Sequence, residues 1–476
     1  MSTGPKQELT LLDSTLIVVG SMIGSGIFIV TADVARNVGG AGWVLAMWAL
    51  TGVMTIIGAL SYGELAGMMP KVGGQFVYLK EAYGDLVGFL FGWCTFLVIE
   101  TGTISAVAVA FGRFTGVLIP YFDESNVVFT VGSLHIATTQ LLAVFSIIVL
   151  TIINLRGVKE AKFVQLVLTL TKTLALFGLI VAGIWVGSRL DNWEFNWEHA
   201  WAIFKTDKQS GEITMIQGFL PALMVLGTAM IGPLFSSSAW NGITYTAAEI
   251  KDPKRDIPRS LLYGALIVSG LYLLANIAYQ LLLPLEGIAS GQNVVQRGIM
   301  FASNDRVGTA AAEVIFGEIG TVIMAVFIMI STFGCNNGLI LAGARVYYAM
   351  AKENLFFSKA KALNTRGVPA ISLILQSVWA SLLCLSGTYS DLLNYTVFTV
   401  LIFYILTIAA VFILRRKQPD TPRPYKAFGY PLIPGIYLVV ASALCLNLLI
   451  NKPTPSLIGL GIVALGIPVF YYWRKK

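Results

Sequence analysis

Residues 11–35 read LLDSTLIVVGSMIGSGIFIVTADVA, an apolar run long enough to cross a bilayer and interrupted at its middle by Gly24-Ser25-Gly26. Glycine inside a helix costs about 1 kcal/mol against alanine, and in hydrocarbon each backbone group released by unwinding costs several kcal/mol more unless something satisfies it. Irregular backbone at membrane depth persists where it lines a cavity or is enclosed by protein, and there bare N–H groups suit an anion and bare carbonyls a cation. Taken alone, one Gly-x-Gly reads first as a kink or a close helix contact through small residues.

Working outward, the composition sets the class. The 476 residues are 56% hydrophobic and 12% charged, with mean hydropathy +0.76, against roughly 25% charged in soluble proteins. The chain reads as an all-α integral membrane protein. Segments of about 20 apolar residues, the length a span needs, fall at 11–35, 42–68, 86–119, 137–155, 162–187, 217–248, 260–283, 312–350, 370–387, 391–414, 431–450 and 455–473, so twelve transmembrane helices are expected. Lysine and arginine concentrate on one side, in runs such as Lys251, Lys254, Arg255 and Arg259, or Arg415, Arg416 and Lys417, whereas the other side carries few, among them Arg36, Arg189, Lys205, Lys208, Arg306 and Lys452. The positive-inside rule then puts both termini in the cytoplasm. The net charge of +7 follows from this topology and points to a lipid bilayer as the neighbour, not to nucleic acid. The polar start at Met1–Thr10 gives no cleavable leader. Cys94, Cys335, Cys384 and Cys445 lie in or beside spans, where cysteine serves as a small hydrophobe, and no disulfide is expected.

The sixth span repeats the pattern of the first. Its centre, Phe235-Ser236-Ser237-Ser238-Ala239-Trp240-Asn241, carries three serines whose hydroxyls compete for backbone groups. The break recurs five spans after the first, and an odd offset inverts the second copy relative to the first, the arrangement of inverted-repeat transporters with a midplane site. Two such breaks favour a binding site, against the alternative that Ser236–Ser238 simply bond back to their own helix.

Four segments carry a family resemblance: GSMIGSGIFI at 20–29, YGELAGMMPKVGGQFVYLKEAYG at 62–84, FSSSAWNG at 235–242 and AAEIKDPKRDIPRS at 247–260. They resemble the amino acid–polyamine–organocation superfamily, and within it the L-type amino acid transporter branch and its bacterial relatives. The resemblance implies a leucine-transporter-type 5+5 inverted repeat with discontinuous helices 1 and 6. The expected divisions are a tail 1–10, a first five-helix repeat 11–187, an extracellular loop 188–216 with no evident fold, a second repeat 217–414, a cytoplasmic loop 415–430, and two appended helices with the C-terminus, 431–476. It also implies a substrate site formed by Met22, Ile23, Gly24, Ser25, Gly26, Phe235, Ser236, Ser238 and Asn241. In that reading the N–H groups of Ser25 and Gly26 hold the carboxylate, and the carbonyls of Met22, Phe235, Ser236 and Ser238 take the ammonium. Phe235 is a lid over the pocket, or else a core aromatic, and Asn241 either meets the substrate backbone or braces the unwound segment. The sequence departs from eukaryotic L-type members at Ser236–Ala239, where those tend to carry Ala-aromatic-Gly-Gly. The bulk of Ser238 leans towards small or polar substrates.

Lys172 lies deep inside VQLVLTLTKTLALFGLIVAG, where a lysine costs roughly 2.5–3.5 kcal/mol on insertion scales. In the family a lysine at the matching position points at the unwound part of span 1, in the place of a sodium ion, which implies sodium-independent transport; the alternatives are a lysine that snorkels to the interface and proton coupling through it. Ser331 and Thr332, in a polar band of span 8, are expected near Lys172. Glu100 in span 3 is left open among a proton relay, contact with a cationic substrate and a structural pair. Glu64 and Glu249 are expected to tie to loop arginines and lysines at an inner gate, and His135 and His199 to be solvated. No metal cluster, triad or phosphate loop is visible, and no cofactor is implied.

The function implied is plasma-membrane transport of neutral L-amino acids by alternating access, as exchange. The alternatives are proton-coupled symport, cationic amino acid or polyamine transport, and a sensor or channel on the same scaffold. Animal members of the branch join a heavy chain through a cysteine between spans 3 and 4. The matching loop 121–136 has none, so no disulfide-linked partner is expected.

Overall fold

The computed structural model describes residues 7–131, 134–386 and 389–474. In chain order its helices are α1 (Leu11–Met22), α2 (Gly26–Val38), α3 (Ala41–Met68), α4 (Gln75–Tyr83), α5 (Asp85–Cys94), α6 (Glu100–Leu118), α7 (Thr138–Leu155), α8 (Val158–Gly187), α9 (Asn192–Trp197), α10 (Phe219–Ala229), α11 (Ile231–Ser236), α12 (Pro253–Leu282), α13 (Val294–Arg297), α14 (Val307–Phe316), α15 (Glu318–Lys352), α16 (Ala370–Ser386), α17 (Tyr389–Lys417), α18 (Leu432–Asn451) and α19 (Pro453–Arg474). A π-helical turn, Thr95–Ile99, joins α5 to α6, and a 3-10 helix, Trp240–Glu249, follows α11. Among the described residues, ten helical segments are long and apolar enough to cross a membrane, and α1 with α2, bent by 43°, supplies an eleventh. The expected ninth span, α16, has 17 residues and is shorter than these.

Helix α1 starts on a capping box, in which Thr10 N–H donates to the Asp13 carboxylate at 2.9 Å and Asp13 N–H to Thr10 Oγ1 at 3.3 Å. It stops where Ile23 turns extended, and α2 restarts at Gly26. Burial alone gives no drive between helices in lipid, so close packing of small residues does the work. Gly264 of α12 lies against Val18 of α1, where a Cβ would sit 2.3 Å from a valine methyl, and Gly52 of α3 lies on Ser269 of α12.

Loop 188–216 departs from expectation, because it folds. Helix α9 is followed by an antiparallel hairpin of β3 (Phe204–Thr206) and β4 (Ile213–Met215), here numbered after the hairpin β1 (Val127–Val131) and β2 (Leu134–Ala137). The loop is tied to the start of α3: Gly40 N–H donates to Ala202 O at 3.1 Å and Gly42 N–H to Ala200 O at 2.9 Å. A cluster of Trp43, Trp193, Trp197 and Trp201 supports it, with no strand periodicity in so short a hairpin to betray it. The four cysteines are free.

At the end carrying the lysine- and arginine-rich loops, Leu9 bridges Ile250 in parallel, and the Glu8 and Leu9 N–H groups both donate to Glu249 O, at 2.8 and 2.9 Å. Glu64 accepts from Arg415 at 2.6 and 2.9 Å and from Ala427 N–H at 2.7 Å, and lies 3.2 Å from Arg423. Arg415 lies in the last turn of α17 and Arg423 in the loop that follows it, so the loop tie that the sequence suggests is made by Arg423. Glu249 instead pairs with Arg345 at 2.9 Å, and both are almost wholly buried. Arg345 sits within α15, so this tie is helix to helix and not helix to loop.

Candidate functional site

The two breaks meet at the centre of the bundle. Each helix end leaves backbone groups without intrahelical partners, and the structure supplies partners from three helices. Lys172 of α8, 1% exposed, donates through Nζ to the carbonyls of Gly20, Ile23 (2.7 Å) and Ser331 (3.2 Å). It therefore points inward onto the end of α1 and does not snorkel. Ser331 Oγ donates to Ile23 O and Gly24 O, both at 3.1 Å, and Cys335 Sγ to Ser21 O at 3.0 Å. Thr332 departs from expectation: its hydroxyl turns back on α15, to Ile328 O at 2.8 Å and Met329 O at 3.0 Å. A threonine mid-helix satisfies itself on the preceding turn when no other acceptor faces it.

Tyr272 of α12 joins the two breaks. Its hydroxyl lies 2.9 Å from Met22 O and 3.1 Å from Ser236 O, so one phenolic hydrogen is shared by two of the carbonyls expected to take an ammonium. Nothing in the sequence motifs marked it; the available signal was a tyrosine inside an otherwise apolar span. The breaks also touch directly. A Cβ at Gly26 would lie 2.1 Å from Ser236 Oγ and 3.1 Å from its Cα, so only glycine fits. Ser236 Oγ bonds back to Gly232 O at 2.8 Å and Ser238 Oγ to Phe235 O at 2.6 Å, as the alternative reading of the serines had it. Ala239 ends the break with φ +68, the left-handed region where an L-residue costs roughly 1–2 kcal/mol.

Asn241 braces the segment. Its Nδ2 donates to Gln75 Oε1 at 2.7 Å and to Tyr245 Oη at 2.9 Å, and Tyr404 Oη donates to Asn241 Oδ1 at 3.3 Å. Gln75, which lies within the 62–84 segment but was not singled out there, continues to Thr407 Oγ1 at 3.0 Å.

Two cavities flank the second break. One, of about 20 Å³, lies beside Met54, Phe235, Ser238, Trp240 and Tyr437. The other, of about 30 Å³, lies beside Glu100, Thr103, Ser238, Asn241 and Tyr245. Ser238, Val400 and Tyr404 border both. Ser25 and Gly26 line neither, because Ser236 covers the start of α2. Phe235 is 6% exposed and forms part of the first cavity's wall. His135 and His199 are exposed.

These features define a multi-pass membrane protein whose spans enclose two facing backbone breaks. The chain belongs to the amino acid permease family, within the amino acid–polyamine–organocation superfamily, and residues 9–469 match that family. It is 32% identical to the mouse large neutral amino acids transporter small subunit 2, over 99% of this chain and 82% of that protein. It is 30% identical to the serine/threonine exchanger SteT of Bacillus subtilis (strain 168), over 99% and 98% respectively, and 28% identical to the mouse Asc-type amino acid transporter 1, over 99% and 82%. The family and these relatives are transporters, and amino acid transport is the activity that membership brings.

Proposed function

We propose that this protein exchanges neutral L-amino acids, small or polar ones foremost, across the plasma membrane by alternating access and without sodium. The observation that carries the reading is the placement of the Lys172 ammonium on the carbonyls at the end of α1, where it supplies a fixed positive charge to oxygens otherwise suited to a cation. The similarity to a serine/threonine exchanger supports both exchange and the substrate size. In this reading the chain holds twelve spans, with 11–187 and 217–414 as inverted halves, and both termini are cytoplasmic. Ser25 and Gly26 receive the carboxylate once Ser236 moves off them. The carbonyls of Met22, Phe235, Ser236 and Ser238 receive the ammonium, Ile23 and Gly24 shape the turn between, Phe235 closes the pocket, and Asn241 holds the second break in register. Tyr272 couples the two breaks through the same carbonyls. The carrier works without a disulfide-linked partner.

The test is uptake of radiolabelled serine, alanine, leucine and arginine into proteoliposomes, with and without unlabelled amino acid inside, a sodium gradient or a pH gradient. Uptake of serine and alanine that needs internal amino acid and ignores sodium is expected. Uptake that requires sodium, or proceeds equally into empty vesicles, overturns the reading.

A further inference from the structure

Glu100 is 7% exposed and faces the cavity it shares with Thr103, Asn241 and Tyr245. Among the described residues its carboxylate has no ion pair and no hydrogen-bond donor, which distinguishes it from Glu64 and Glu249. The chain around it is built irregularly. The π-helical turn Thr95–Ile99 ends at Glu100 and re-aims the residues after it, and Thr101 Oγ1 reaches back five residues to Phe96 O at 2.7 Å; such turns recur at functional positions. Gly343 of α15 gives the side chain its room, since a Cβ there would lie 2.5 Å from Glu100 Cγ. Against the same glycine stands Gln376 Oε1, a second buried oxygen with no donor.

The groups that face Glu100 are Tyr245 from the 3-10 helix, Tyr347 and Cys335 from α15, Tyr404 from α17 and Gln376 from α16. None is a cation, and Lys172 is engaged with its three carbonyls. A buried carboxylate without a partner either takes a proton or finds a positive charge. The cavity supplies the place for one: Glu100 lines it together with Ser238, in the second break, and with Thr103, one helical turn further along α6.

We propose, resting on the amino acid exchange reading above, that the cavity over Glu100 is a side-chain subsite that holds one positive charge. That charge is a proton when the substrate is neutral and the side-chain ammonium when the substrate is a cationic amino acid of the ornithine or lysine type. The charge balance follows. A cationic amino acid entering in exchange for a neutral one leaving carries one charge in, while the neutral substrate leaves with the Glu100 proton, so the exchange is electroneutral and exports one proton per turnover.

The experiment uses the full-length protein in proteoliposomes loaded with serine, with external ornithine or serine, a pH-sensitive dye and a range of pH. Ornithine is expected to exchange for internal serine, to acidify the outside, and to do so unaffected by a membrane potential. Serine/serine exchange is expected to fall about tenfold per pH unit above the point at which Glu100 ionises. In Glu100→Gln the ornithine exchange is expected to vanish and the serine exchange, whatever its rate, to lose its pH slope. Should that variant not fold, Glu100→Asp keeps the carboxyl and is expected to keep proton export with ornithine while shifting preference towards the longer lysine. Ornithine that neither enters nor inhibits at any pH, or a pH slope that survives in Glu100→Gln, overturns the inference while leaving neutral exchange intact. Absence of serine exchange altogether overturns both.

Discussion

Replacing Lys172 by methionine keeps an unbranched side chain one atom shorter and removes its ammonium. Three carbonyls lose a charged donor, and such bonds contribute roughly 1.5–3 kcal/mol each. One is long, at 3.2 Å to Ser331 O, and Ile23 O keeps the Ser331 hydroxyl. The loss therefore amounts to about 3–6 kcal/mol, and it is offset by the roughly 2.5–3.5 kcal/mol that an intramembrane lysine costs on insertion. The net effect, about 0–3 kcal/mol, leaves the bundle folded, but it falls wholly on the geometry of the first break. At 1.4 kcal/mol per factor of ten, the upper part of that range lowers exchange by about 10–150-fold. Radiolabelled serine counterflow in proteoliposomes measures it, with thermal unfolding in detergent as the control for folding. A Lys172→Met protein that exchanges serine at the wild-type rate refutes the assignment of Lys172 to the break.

Tyr272→Phe removes the hydrogen shared between Met22 O and Ser236 O. At about 1 kcal/mol for such a bond, the KM for serine is expected to rise about fivefold, read from the concentration dependence of exchange. Arg345→Met leaves Glu249 buried without its partner and is expected to destabilise the fold by about 3–5 kcal/mol. Most of that returns in the double variant with Glu249→Gln, and a double variant as unstable as the single one would count against the pair. Gly26→Ala places a methyl group 2.1 Å from Ser236 Oγ and 3.1 Å from its Cα. Overpacking of this kind costs about 1–3 kcal/mol, exchange is expected to disappear, and Ser236→Ala is expected not to restore it, because the Ser236 Cβ still lies 2.7 Å away.

The spans were legible because hydropathy works at the scale of whole helices, and the two breaks because glycine and serine are out of place at that depth. Lys172 and Ser331 were legible for a related reason: a polar group in a lipid-facing composition has to be turned inward. What the sequence hid is orientation within a turn. Thr332 follows Ser331 by one residue and so points about 100° away around the helix, where only its own backbone accepts. Tyr272, Gln75 and Arg345 escaped notice because each becomes informative only when a distant element is set beside it: two carbonyls, an amide and a glutamate respectively. The hairpin of 204–215 was missed because its stability comes from indole packing and from hydrogen bonds between its loop and the start of α3, not from any pattern of its own.

The two broken spans are fastened to each other at two depths. Tyr272 and the Gly26–Ser236 contact join them at the centre, and Leu9 with Ile250 joins the entrance of the first to the exit of the second. Two rods pinned at two points cannot hinge independently. A label or fusion attached ahead of Leu9 therefore loads both broken spans at once, and a spectroscopic probe placed there reports on the pair without touching the breaks themselves.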